Sequence, residues 1–247
     1  MSLKLLQPRW SAPQNIRAFC TTRVGGFSQE PWSSFNVALH VGDNLSTVKD
    51  NRRLLQESTG LPNPRWLTQT HSTKVAEHGS GLIEADGCFT TEVEKSCVVM
   101  TADCLPVLFC NQEGSWVAAV HAGWRGLVDG ILTKAVESYR QPSKLLAWIG
   151  PAISQQHFEI GHEVRERFIN KSSSLESFFR PKSAQKWLCD MVAIAKHELE
   201  GLGVDVFESD LCTYHNPQDF FSHRRATHQQ GSNAMTGRMA SIIWIEQ

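Results

Sequence analysis

The feature that most limits what this chain can fold into is a set of short apolar runs broken by turn residues. They are "CVVMTADCLPVLFC" at 97–110, "SWVAAV" at 115–120, "LLAWIG" at 145–150 and the closing "TGRMASIIWI" at 236–245. Consecutive apolar positions over a strand's length, stopped by Gly, Pro, Asp or Ser, are the pattern of buried strands. Between them lie segments of helical spacing. "STVKDNRRLLQESTG" starts with Ser/Thr and ends at Gly60, and "LVDGILTKAVESYRQ", "GHEVRERFINK" and "QKWLCDMVAIAKHELEGLG" follow. "IRAFCTTRVGGFS" reads as a strand entering a glycine turn, "RWLTQTHSTKVAEH" as β-rich, and "RRATHQQGSNAMTG" as a polar mobile loop. Alternating strands and helices predict α/β layers around one sizeable core.

The charge balance narrows the partners. Lys and Arg number 24 against 25 Asp and Glu, a formal net charge of −1. That gives no electrostatic reason to expect nucleic acid or an anionic membrane. "MSLKLLQPRW" lacks the pattern of a signal peptide, and no apolar run reaches the roughly 18 residues of a membrane span. A cytoplasmic location is the expectation. The seven cysteines form an odd set without a C-x-x-C pair, which argues against a disulfide framework and against a zinc ribbon.

Three turns carry the chemistry. His71 in "TQTHST", Cys104 in "TADCLP" and His121 in "VHAGWRG" each fall at the end of a predicted strand, where α/β proteins tend to build sites. Two imidazoles and a thiolate fill three positions of a tetrahedral zinc and leave one open, and a zinc so held acidifies water. The competing reading is a pair of satisfied histidines beside an inert thiol. Cys104 with His121 as its base, oriented by Asp103 or another carboxylate, is a third possibility, that of a cysteine hydrolase. Arg125, near a predicted helix starting around Leu127, is a candidate for anion binding and catalysis, with an ion pair to Asp129 as the alternative. Gly123 and Gly126 leave room for close approach. Arg23 in "TTRVGGFS" and Arg224 in "FFSHRR" are further candidates for an anionic substrate group. Asp103 is a candidate to orient a metal-bound imidazole, or it caps a turn.

The ordered segments "TTRVGGFS", "NVALHVGD", "TQTHST", "TADCLPVLF", "AAVHAGWRG", "IGPAISQQHFEIGHEV" and "FFSHRR…TGRMASIIWI" together resemble the bacterial multicopper polyphenol oxidase/laccase-like family. Its members are also described as purine nucleoside phosphorylases and peptidoglycan editing factors. The resemblance runs over nearly the whole chain and implies one domain over 1–247, an α/β/β/α layered sandwich with mixed sheets. It implies zinc, or copper in its place, on His71, Cys104 and His121. It also implies phosphorolysis of adenosine, inosine, guanosine and methylthioadenosine, with adenosine deamination as a second activity. Phosphate would fall to Arg125, with Arg23 and Arg224 as further contacts. Two features depart from the family pattern: Ala226 stands where an acidic residue is usual, and the segment from Thr227 to Met235 is long. A four-copper relay fits poorly, since the 10 histidines include no H-x-H pair. Nothing in the residues speaks to the oligomeric state.

Overall fold

Every residue of the central strands is buried, because both faces of each sheet are covered. The computed structural model describes residues 2–247. Its first half runs through β1 (Leu5–Leu6), β2 (Ile16–Thr21), α1 (Leu45–Thr59), β3 (Pro64–Arg65), β4 (Val75–Glu77), β5 (Gly87–Thr90), β6 (Ser96–Thr101), β7 (Leu105–Asn111) and β8 (Val117–Ala122). There follow α2 (Trp124–Val128), α3 (Ile131–Ser138), β9 (Leu145–Ile149), β10 (Glu159–Gly161), α4 (His162–Lys171), β11 (Phe179–Ser183) and β12 (Lys186–Cys189). The chain closes with α5 (Met191–Gly201), β13 (Asp205–Glu208), α6 (His223–Gln230) and β14 (Met239–Ile245).

Two mixed sheets form the centre, in the orders β1-β2-β14-β6-β3 and β13-β9-β7-β8-β5-β4. Side chains alternate across them with the period of two that a pleated strand imposes. In the five-stranded sheet, Phe19, Val98, Met100, Ile242 and Trp244 point outward onto Leu55 of α1 and the Phe35–Ala38 segment. Their neighbours Ala18, Cys20, Cys97, Val99 and Ile243 point inward, against Cys88, Leu108, Ala119, Leu146 and Trp148 of the six-stranded sheet. The far face of that second sheet, with Val107, Phe109, Val120, Ala147 and Ile149, packs on Leu127, Ile131 and Leu132 and on Ile194 and Leu199 of α5. The layers are therefore α/β/β/α. A small sheet, β10-β12-β11, flanks the helical side.

Local detail departs from the sequence expectations where a glycine or a capping carboxylate breaks a period. The helix expected over 127–141 begins earlier, at Trp124, and is cut at Gly130, whose φ of +91° is left-handed. The helix expected over 185–203 is strand β12 followed by α5. Asp190 separates them as the N-cap, accepting from the Ala193 N–H at 3.0 Å. The β-rich stretch 65–78 holds only β3 and β4, with an irregular loop between. The expected mobile loop at 224–237 contains α6, capped by Ser222 through the Arg225 N–H, and Ala226 is buried on it. No helix among the described residues is long and apolar enough to cross a membrane.

Candidate metal and active site

The loop between β3 and β4 carries His71, and it is held from two sides. Upstream, the Gln69 amide behaves as an extra strand residue: its Nε2 donates to the Met100 carbonyl at 2.8 Å and its Oε1 accepts the Met100 N–H at 2.7 Å. Downstream, one buried carboxylate collects the loop's donors. Asp86 accepts the backbone N–H groups of Thr70, His71 and Ser72 at 3.1, 3.0 and 2.6 Å, and the Ser72 hydroxyl at 2.8 Å. This ring of N–H groups around Asp86 holds His71 in a left-handed conformation, φ +60°, which is uncommon outside glycine.

Asp86 also orients the second imidazole. His121, near the end of β8, meets Asp86 Oδ1 through Nδ1 at 2.7 Å and donates its backbone N–H to the Asp86 carbonyl at 2.7 Å. Its Nε2 is left for the site. Cys104 enters from the turn between β6 and β7, where Asp103 has a φ of +97°. Cys104 Sγ lies 3.9 Å from His71 Nε2, and the ligand atoms of His71, Cys104 and His121 all lie within 4.8 Å of one another. Gly123 closes the nest. A Cβ there would stand 2.5 Å from His71 Cδ2 and 3.1 Å from Cys104 Sγ.

The electrostatics make a thiolate. Burial pushes the Cys104 thiol up, but the charges of His121 and His71 and their hydrogen bonds more than reverse it, to about 6. Burial lowers His121, which the Cys104 thiolate and Asp86 then raise to about 9. Asp86 is raised by burial and brought down by His121 and Ser72 to about 2. Two imidazoles and a preformed thiolate, with one imidazole fixed by a carboxylate, are a donor set and supporting shell that suit zinc. Donors around tetrahedral zinc stand about 3.3–3.6 Å apart, so the cluster is of the right size and slightly open. Among the described residues it is the one group of three such side chains that close together.

These residues floor a cavity of about 530 Å³. Its apolar wall is Trp124, Ile153, Phe158, Ile160 and Val164; the other side carries Arg125, Arg224 and Arg238 with Asp103 and Glu159, and His40 and His223, which burial and neighbouring arginines hold below the ordinary histidine value. Arg125 lies in the first turn of α2, exposed, with its guanidinium 4.4 Å from the Trp124 ring. The expected alternative, a pair with Asp129, is not formed, because Asp129 binds Arg167 at 2.6 Å. Arg224 reaches the cavity with Nη1 donating to the Glu159 carbonyl, while Arg225 is spent on the carbonyls of Thr213, Tyr214 and Phe220.

Two expectations land elsewhere. Arg23 is outside the cavity lining, its guanidinium donating to the carbonyls of Ser33 and Pro217. Asp103 lines the cavity but orients no imidazole. Its carboxylate accepts the Thr213 hydroxyl at 2.6 Å and the Arg224 N–H at 2.7 Å, tying the turn of Cys104 to α6. Asp86, to which the sequence reading gave no role, does the orienting. Its one signal in the chain is a charged residue set directly before the strand residues Gly87–Thr90; in the fold its side chain is fully buried. Gln69 and Arg238 were also missed.

A family model described as multi-copper polyphenol oxidoreductase laccase matches residues 17–246. The chain is 44% identical over 251 residues to a purine nucleoside phosphorylase of Haemophilus influenzae, covering 99% of this chain and 100% of that one. It is 41% identical to the purine nucleoside phosphorylase YfiH of Escherichia coli, over 98% and 99% of the two chains. Among solved structures, protein NMB0706 of Neisseria meningitidis superposes with a TM-score of 0.91 at 40% identity, covering 98% and 99%. YlmD of Geobacillus stearothermophilus superposes at 0.83 with 28% identity, covering 97% and 99%.

Proposed function

The chain belongs to the multi-copper polyphenol oxidoreductase laccase family, and from that premise we propose that it is a zinc-dependent purine nucleoside phosphorylase. The observation that carries the reading is a single cavity with the His71–Cys104–His121 cluster on its floor, an apolar wall and three arginines, Arg125, Arg224 and Arg238, in its lining. The relatives named purine nucleoside phosphorylase, at 41–44% identity, support it. The apolar wall suits a purine and the arginines suit phosphate. Adenosine, inosine, guanosine and methylthioadenosine are the proposed substrates, in a cytoplasmic setting.

In phosphorolysis a phosphate oxygen bonds to C1′ of the ribose as the bond to the base nitrogen breaks, and the electron pair leaves with the base. Positive charge grows on the sugar in between, so the reaction rewards a phosphate held in line beside C1′. The residues here divide that work. Trp124 and Phe158 offer flat apolar surface to the base, Arg125 and Arg224 offer donors to the anion, and Asp103 and Asp86 keep the floor in place. A zinc ion on His71, Cys104 and His121 would supply a Lewis acid at its open position. The same cavity is proposed to deaminate adenosine. The same donors suit a single copper, but one three-ligand cluster does not make a four-copper relay.

Arg125 is the rim contact for phosphate. With purified protein, Arg125→Ala is expected to raise the KM for phosphate in ribose 1-phosphate formation by about tenfold, the worth of one charge-assisted contact at an exposed position. The KM for inosine should change little. Unchanged kinetics toward phosphate would remove Arg125 from this role.

One observation favours a second reading. Cys104, His121 and Asp86 form a nucleophile, base and orienter in sequence, with the thiol lowered and the imidazole raised, as an amidase acting on peptidoglycan precursors requires. His71 weighs against it, since a dyad has no use for a second imidazole held beside the sulfur. A substrate fragment covalently trapped on Cys104, in protein that turns over without metal, would reverse the order of the two readings.

A further inference from the structure

The cation best placed to hold the attacking anion was not among those the sequence singles out. Arg238 stands one residue before β14, and Met239 pairs with Thr101 at the end of β6. That register carries Arg238 to the Thr101–Cys104 turn, and it lines the same cavity as the three candidate ligands. Its position is built: the Asn36 amide oxygen takes its backbone N–H at 3.0 Å, and Nη1 donates to the carbonyls of Thr236 and Gly237, each at 3.0 Å. Gly237 has no room for a Cβ, which would meet the Phe221 ring at 2.6 Å. Arg238 is partly buried.

Anchoring at Nη1 leaves the opposite edge of the guanidinium unused. Among the described residues, the Arg238 guanidinium makes its hydrogen bonds through Nη1 and none through Nε or Nη2, and the negative charges that act on it are those of Cys104 and Asp103. The nearby Asp103 carboxylate is committed to Thr213 and Arg224. His40 and His223 share this wall. A planar Nε–Nη2 edge with two parallel donors matches two oxygens of one tetrahedral oxyanion, which a lysine cannot do.

We propose that Arg238, flanked by His40 and His223, forms the oxyanion subsite of the cavity and binds inorganic phosphate through its Nε–Nη2 edge. This rests on the phosphorylase reading for its place in a reaction, though not for the binding itself. Arg125, exposed at the mouth, then contributes less than Arg238.

Calorimetric titration of inorganic phosphate into the metal-loaded protein tests it. Arg238→Gln is expected to weaken phosphate binding by about 100-fold, the loss of a bidentate charged contact. Arg238→Lys keeps the charge without the fork and is expected to weaken it by about tenfold. The lysine variant decides the matter if the glutamine variant does not fold. Phosphate affinity within threefold of wild type in the folded variants, a larger loss in Arg125→Gln than in Arg238→Gln, or a wild-type protein that takes up no phosphate at millimolar concentration would overturn the subsite. Phosphate bound through Arg238 with no ribose 1-phosphate formed would leave the subsite standing and remove the phosphorylase reading.

Discussion

Replacing Asp86 with alanine is expected to cost about 3–5 kcal/mol of stability, the usual effect of breaking a buried charged pair. In a chain of this size that lowers Tm by roughly 6–20 °C. The cause is countable. Asp86 is fully buried and takes three backbone N–H groups, one hydroxyl and the His121 ring N–H. Alanine leaves these donors without an acceptor and releases His71 from its left-handed conformation. Asp86→Asn separates the fold from the site. If the amide oxygen faces Ser72, its NH2 faces His121 Nδ1 and forces the ring proton onto Nε2, the nitrogen the site needs. Metal affinity should then fall by about 10–100-fold, and Tm should fall by less than in Asp86→Ala, since the amide oxygen still serves Thr70 and Ser72 while the His71 N–H loses its acceptor. Thermal melts with and without chelator read both effects. A Tm within a degree or two of wild type in Asp86→Ala would show that the loop is held by something else.

Gly123→Ala is expected to do the reverse, sparing the fold and disabling the site. The backbone at Gly123, φ −71° and ψ 165°, is open to alanine. Only the new methyl group is misplaced, 2.5 Å from His71 Cδ2 and 3.1 Å from both His71 Nε2 and Cys104 Sγ. His71 is exposed and on a loop, so its ring swings away rather than the sheet yielding. Displacing one ligand by an ångström costs activity by about 100-fold, while the melting curve of the metal-free protein should hardly move. Metal content and phosphorolysis at wild-type levels in Gly123→Ala would show that His71 is not a ligand.

These two residues also mark where sequence reading ends. Strands β6, β7, β8, β9 and β14 were legible because each is apolar at successive positions, while the short, partly exposed β10, β11 and β13 carry no such run. His71, Cys104 and His121 were legible because each lies at a turn beside a predicted strand. Asp86 was not. Its work is to accept N–H groups from residues 14 to 16 positions upstream, a relation no local pattern carries. Gly123 was legible as a point of close approach, though what approaches it is the His71 ring and not a bound small molecule. The 185–203 segment was misread because the apolar spacing continues across Asp190, and only the folded chain shows that carboxylate capping α5. Arg238 was passed over for a similar reason: ahead of "MASIIWI" it looks like a lead-in to a strand, and its free edge depends on which carbonyls hold Nη1.

The central claim is that His71, Cys104 and His121 together hold one metal ion. Elemental analysis of the purified protein, beside His71→Ala, Cys104→Ala and His121→Ala, tests it most directly. Close to one zinc per chain is expected in the wild-type protein and near none in any of the three folded variants. Metal retained in all three variants, or a wild-type protein that turns over nucleoside and phosphate with none bound, would contradict it.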